Sequence, residues 1–203
     1  MSDSTRPFED LLVYTQPHLR GCPKELILQA ATEVARDFCH DTHCWQYNLS
    51  PIYVRSGKLN YELSLDGVIC DAEIVGIVDA YLDGVKLSQQ RGDYSLSDRT
   101  IFQFSRDPGR NISKGLLVVV ALRPVEGADE IDARVFNDYY TAFADGIIWK
   151  RCEDEEKPWS NPARATQRRI DYEGKKGVAR VDVNRGGPGM TKSMQMRPRH
   201  KFV

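Results

Sequence analysis

No apolar run in this chain exceeds seven residues, the longest being Leu116–Leu122. A membrane-spanning helix needs about twenty, so none is expected. The opening residues, MSDSTRPFED, carry acids and lack the apolar core of a secretory leader. Cysteine is sparse. Five thiols (Cys22, Cys39, Cys44, Cys70 and Cys152) scattered over 203 residues cannot build a disulfide scaffold, and free thiols in a reducing cytoplasm are expected. Catalytic signatures are missing too: no nucleophile elbow, phosphate loop, dinucleotide fingerprint or zinc-protease motif occurs. Gly174-Lys175-Lys176-Gly177 comes nearest to a phosphate loop, but its spacing is wrong and it falls inside a predicted helix. There is no internal repeat. What remains, 41% hydrophobic and 28% charged residues, excludes a disordered or fibrous chain and leaves one domain, or one domain plus an embedded subdomain, with a real core.

Charge is divided unevenly. Residues 1–160 hold 17 Lys/Arg against 26 Asp/Glu, a net of −9, while residues 161–203 hold 11 Lys/Arg against three acids, a net of +8. An acidic body with a basic end predicts that the end docks on something negative, either nucleic acid or an acidic protein surface.

Hydrophobic spacing predicts the elements. Pro7–Tyr14 reads as a short helix and Gln16–Pro23 as a turn. Lys24–Thr42 is the clearest helix. Leu26, Ile27, Ala30, Ala31, Val34 and Phe38 share one face, and Glu33, Arg36 and Asp37 face away. From Trp45 the period changes to that of strands. Leu59, Tyr61, Leu63 and Leu65 alternate with polar residues, Ile74–Leu82 is a second strand, and Asp83-Gly84 is a tight hairpin turn. Thr100–Phe104 and Leu116–Leu122 are expected to pair as a hairpin around Asp107-Pro108-Gly109-Arg110. Helical spacing returns at Asp132 with Phe136, Tyr140, Phe143 and Ile147. A last helix, Ala163–Val183, shows a thin stripe of Ala163, Ile170, Gly174, Val178 and Val181.

The expected architecture is therefore α+β. Residues 1–44 and 124–184 supply about four helices of an antiparallel bundle, 45–123 an inserted all-β subdomain of five or six strands, and 185–203 an extended basic arm.

Candidate chemistry is thin. Cys39-His40-Asp41-Thr42-His43-Cys44 offers zinc-binding side chains, but adjacent positions at a helix end diverge, and a helix terminus with small thiols is expected instead. Glu153-Asp154-Glu155-Glu156 reads as solvated loop acids. No metal or cofactor is expected. The arm carries the strongest signal. Arg185, Lys192, Arg197, Arg199 and Lys201, with His200, are uninterrupted by acids, and Met190, Met194, Met196 and Phe202 are interspersed. Adaptable apolar side chains among cations suit docking into a protein groove. Gly186, Gly187 and Gly189 form a natural hinge before it.

Several short blocks, in their order and spacing, resemble the head-to-tail adaptor (portal adaptor, or connector) proteins of tailed bacteriophages. They are Leu19-Arg20-Gly21-Cys22-Pro23, Ala35-Arg36-Asp37-Phe38-Cys39, the hairpin Ala80–Leu87, Leu122-Arg123-Pro124, Ala144-Asp145-Gly146 and Lys157-Pro158-Trp159-Ser160-Asn161-Pro162. The resemblance implies a structural virion protein without enzymatic activity. It implies a homo-oligomeric ring, usually of about twelve copies, assembled in the host cytoplasm beneath the portal protein and presenting a platform to a distal tail or nozzle protein. Genomic DNA would pass through the ring without sequence recognition, and no membrane is involved. The basic arm would dock on the portal or on a neighbouring subunit. The tips Asp83-Gly84 and Asp107-Pro108-Gly109-Arg110-Asn111 would be exposed and tail-facing. Two other classes stay open: a nucleic-acid-binding phage protein that uses the basic end, and an adaptor with cell-wall hydrolase activity.

Overall fold

The computed structural model describes residues 5–65 and 71–185. The N-terminal segment departs from the expected single helix. Strand β1 (Thr5–Pro7) leads into a 3₁₀ turn over Phe8–Leu11, a four-residue helix α1 (Leu12–Thr15) and a second 3₁₀ turn over Gln16–His18. Phe8 and Leu11 are buried and anchor this segment.

Helix α2 (Lys24–Thr42) forms as its spacing requires, burying Ile27, Ala30, Ala31, Val34, Ala35, Phe38 and Cys39. It ends where His43 turns left-handed (φ 53°) and donates its N–H to the Cys39 carbonyl at 2.9 Å. Its polar face is not free, as the spacing suggested. Arg36 donates to the Pro124 carbonyl (2.7 Å) and pairs with Glu73 (3.1 Å), and Thr32 donates to the Ala128 carbonyl (2.9 Å). These bonds fasten the helix to the sheet beneath it.

That sheet is antiparallel. Its strands are β2 (Trp45–Asn48), β3 (Ile52–Val54), β5 (Ala72–Leu82), β6 (Val85–Leu87) and the long β9 (Ile112–Pro124). Their order is β2-β9-β5-β6, with β3 also pairing with β9. A second sheet holds β4 (Asn60–Glu62), β7 (Tyr94–Ser97) and β8 (Ile101–Phe104) in the order β4-β8-β7. β1 pairs with β10 (Glu130–Asp132), directly before α3 (Ala133–Cys152). The Asp132 carboxylate caps α3 by accepting the N–H groups of Arg134 and Val135. After a loop, α4 (Pro162–Arg185) packs along α3 and crosses α2.

The class is α+β, but the expected bundle with an inserted β subdomain is wrong. Among the described residues, ten strands in three antiparallel sheets share one hydrophobic core with the helices, in which Val34, Ala35 and Phe38 are continuous with Ile74, Val120 and Leu122. The physical reason lies in β9. It alternates buried and exposed at Leu116–Val118, then buries Val120, Ala121 and Leu122 in succession, because α2 packs on this strand. A strand covered in this way belongs to the common core rather than to an appendage. The expected hairpin of Thr100–Phe104 with Leu116–Leu122 is also wrong: β8 and β9 lie in different sheets, so residues 105–111 cross from one sheet to the other.

Candidate functional site

Three loops separated in sequence meet at one edge of the sheets. The β5–β6 turn is as expected. Asp83 (φ 52°) and Gly84 (φ 79°) are both left-handed, and the Asp83 N–H bonds to the Gly115 carbonyl at 2.8 Å. Arg110, from the crossing segment, reaches the Asp83 carboxylate at 2.6 Å. The Asp107 carboxylate accepts the N–H groups of Gly57 and Gly109, each at 3.0 Å. Asn111 Oδ1 accepts the Ser56 N–H at 2.9 Å. The backbone N–H of Gly109, then that of Gly57, hold the Asp107 carboxyl below its usual value, because both bond the charged form.

Both sequence-predicted tips are therefore exposed apart from the half-buried Pro108, and they are joined to each other. Residues 107–111 are not a hairpin tip. They carry the side chains that hold the 56–57 turn, and Ser56 and Gly57, which the sequence marks as a turn but not as part of a site, join the cluster. Polar groups here satisfy one another, so the cluster offers shape and a fixed hydrogen-bonding edge rather than a reactive group.

Helix α4 forms a second surface. Facing inward are Ala165, Tyr172, Lys176 and Ala179. Most of its cations are held by oxygens of neighbouring elements, two of them on each of two carboxylates. Asp145, buried on α3, takes Arg168 on Oδ1 and Lys175 on Oδ2, both at 2.5 Å. Asp41, at the end of α2, takes Lys176 at 2.5 Å and Arg180 at 3.6 Å. Burial opposes the charge on Asp41, but its hydrogen bonds from Lys176 and His40 and the attraction of Lys176 and Arg180 outweigh it, and the carboxyl is held below its usual value. Arg164 donates to the His18 carbonyl at 2.7 Å, and Arg169 lies over the Trp149 ring.

The apolar stripe read from the sequence faces the other way. Ile170 and Val178 are each 61% exposed and Val181 45%. Beside Gly174 a methyl group would meet nothing within 4 Å. Gly146, on α3, is the opposite case: a methyl there would come within 2.6 Å of Val34 Cγ1 and 3.0 Å of the Tyr172 ring. The Ala144-Asp145-Gly146 block thus holds α4 twice, by charge and by close approach.

Arg185 closes α4 and is exposed. The other arm residues, Lys192, Met194, Met196, Arg197, Arg199, His200, Lys201 and Phe202, and the hinge Gly186, Gly187 and Gly189, lie outside the described residues. In the Cys/His segment, Cys39 is buried with its Sγ 3.8 Å from that of Cys44, while His40 turns to Asp41. The hydrogen bond with Cys44, then burial, push the Cys39 thiol well above its usual value. Among the described residues no group of three His, Cys, Asp or Glu is placed to hold a metal ion, and no helix is long and apolar enough to cross a membrane. Compared with protein-family models and with curated proteins, the chain matches none.

Proposed function

We propose that this chain is a head-to-tail adaptor of a tailed bacteriophage. Identical copies, about twelve, form a ring under the portal protein, extend the channel through which genomic DNA passes, and receive the distal tail protein. The order and spacing of the sequence blocks support the reading. The observation that carries it is the outward stripe of α4, where Ile170, Val178 and Val181 stand exposed on a helix whose inner face is already fixed. Exposed β-branched residues aligned along a helix suit burial against a neighbouring copy in a closed ring. The loop cluster of Asp83, Asp107 and Arg110 supplies a rigid edge of the kind that recognises a partner.

The nucleic-acid reading has less support in the fold, because five of the cations in α4 bond to oxygens of α2, α3 or the His18 carbonyl rather than facing solvent unpaired. The test is native mass spectrometry of the full chain mixed with a portal ring. Wild type should join at the copy number of the portal ring. Ile170→Asp/Val178→Asp should keep its circular dichroism spectrum and lose the ring. A single copy per portal, or a ring that the double substitution leaves intact, would overturn the proposal.

A further inference from the structure

A groove of about 670 Å³ lies between the first half of α2, the 126–129 loop and the Pro7–Glu9 segment. Phe8, Leu28 and Ala128 make its apolar floor. Its rim carries Glu9, Glu25, Glu33, Glu126 and Asp129, and the one cation among the lining residues, Arg36, is already held by Glu73 and the Pro124 carbonyl. Glu9 is matched by Lys24 and Glu33 by Lys150. The carboxylates of Glu25, Glu126 and Asp129 are exposed and have no ion pair or hydrogen bond with any other described residue.

An apolar floor under a ring of carboxylates suits a segment that mixes cations with adaptable apolar side chains. The end of this chain has that composition. Residues 186–203 hold Lys192, Arg197, Arg199 and Lys201 with Met190, Met194, Met196 and Phe202, and no acidic side chain. We infer that the groove receives the C-terminal segment of its own chain, with Arg197, Arg199 and Lys201 against the free carboxylates and Phe202 on the apolar floor. The free subunit then keeps its cationic end on its own acidic body, and any other acidic surface has to displace it from there. The inference does not rest on the ring reading.

The length of chain beyond α4 is sufficient. Lys176 and Arg180 bond to Asp41, so α4 passes the C-terminal end of α2, while the groove lies on the other half of α2. From Asp41 back to Leu28 is about 20 Å of helix, and from Arg180 on to Arg185 about 7 Å. With about 10 Å between packed helix axes, the middle of the groove is at most about 40 Å from Arg185. Fully extended, the chain from Arg185 spans about 40 Å to Arg197 and about 55 Å to Lys201. The slack of about 15 Å carries it around half of a helix about 10–12 Å across, over the face where Asp37 and His40 are exposed. Tethering then favours the chain's own groove over a neighbour's. A tethered segment within reach acts at an effective concentration on the order of millimolar, roughly a thousand times that of a neighbour's segment in a micromolar solution.

The test is zero-length carbodiimide coupling, which joins an amine to a carboxylate in contact. An equal mixture of ¹⁴N- and ¹⁵N-labelled full-length protein is coupled at low ionic strength and micromolar concentration, without portal. Lys201 should couple to Glu25, Glu126 or Asp129 in pairs of a single isotope, with a yield that dilution leaves unchanged. Arg197→Glu/Arg199→Glu keeps every coupling partner but reverses the charge, and should cut the yield at least five-fold with circular dichroism unchanged. Phe202→Ser leaves every charge in place and should also lower it. Isotopically mixed pairs, coupling of Lys201 to carboxylates outside the groove, no coupling of Lys201, or an undiminished yield in either variant would each overturn the inference. Because neither a portal nor a ring is needed, these outcomes are independent of the portal-docking test.

Discussion

Replacing Gly146 by alanine should destabilise the protein, while the same change at Gly174 should stabilise it. Both glycines lie inside helices, where alanine is favoured by about 1 kcal/mol. At Gly174 nothing opposes that gain, since a Cβ there meets no atom within 4 Å. At Gly146 the new methyl would lie 2.6 Å from Val34 Cγ1 and 3.0 Å from Cδ2 and Cε2 of Tyr172. Neither neighbour has room to move. Val34 is fully buried, and the Tyr172 ring is wedged against Trp149 and Phe38 with its hydroxyl bonded to the Val34 carbonyl. Overpacking a rigid site costs about 1–3 kcal/mol, and this geometry points to the upper end. Subtracting the helix gain leaves a net loss of about 2 kcal/mol. At roughly 2–4 °C per kcal/mol for a chain of this size, Gly146→Ala should lower Tm by about 4–8 °C and Gly174→Ala should raise it by about 2–4 °C. Scanning calorimetry of the two variants beside wild type reads both signs in one experiment. If Gly146→Ala rises with Gly174→Ala, the close approach of α2, α3 and α4 at this glycine is refuted.

Asp145→Ala should lower stability by about 2 kcal/mol in urea unfolding: losing one side of a buried pair costs about 3–5 kcal/mol, and here the stranded Arg168 and Lys175 can turn partly to water. Arg36→Ala should cost about 1–2 kcal/mol by the same assay, through the bonds to Pro124 and Glu73 that tie α2 to the sheet; an unchanged urea midpoint would mean the helix is not fastened there. Asp107 predicts a pH dependence. Its folded carboxyl titrates below its usual value, so its hold on the loop is present above the ordinary aspartate range and is lost as pH falls through the depressed value. The amide resonances of Gly57 and Gly109 should move together in that acid window and stay still in Asp107→Asn.

Much of the helical content was legible because it obeys one-dimensional rules. α2 buries one face against the rest of the chain, so apolar spacing and location agree; α3 shows the same apolar face but is buried on every side over residues 142–148, because α2 and α4 both pack on it. The Asp83-Gly84 turn was legible because only a few residue types tolerate two successive left-handed positions. Strand pairing was not legible. Nothing local distinguishes a hairpin between β8 and β9 from a crossing between two sheets, and the deciding contacts come from β4, β5 and β7. The three-residue strands β1 and β10 are too short to show any alternation. Helix α4 misled for a different reason. Its interior face includes Lys176, whose ammonium is neutralised by Asp41 and lies over the Tyr172 ring, so a lysine occupies a core position while isoleucine and valine point outward. The loop cluster was half legible: the Asp83-Gly84 turn is evident in the sequence, but residues 107–111, which read as a hairpin tip, form a crossing segment, and the union through Arg110 and Asp83 depends on that crossing.

That inversion predicts how the proposed contact between copies responds to salt. α4 is held inward by ion pairs and shows β-branched residues outward. Sodium chloride at about 0.5 M shortens the screening length to a few ångströms and weakens attraction between exposed charges. Sulfate screens as well, but it also strengthens the burial of apolar surface. Ring formation through Ile170, Val178 and Val181 should therefore survive chloride and be promoted by sulfate. Sedimentation velocity of the ring across a chloride and a sulfate series reads both responses. A ring that dissolves in sulfate as readily as in chloride would show that charge, not the outward face of α4, holds the copies together.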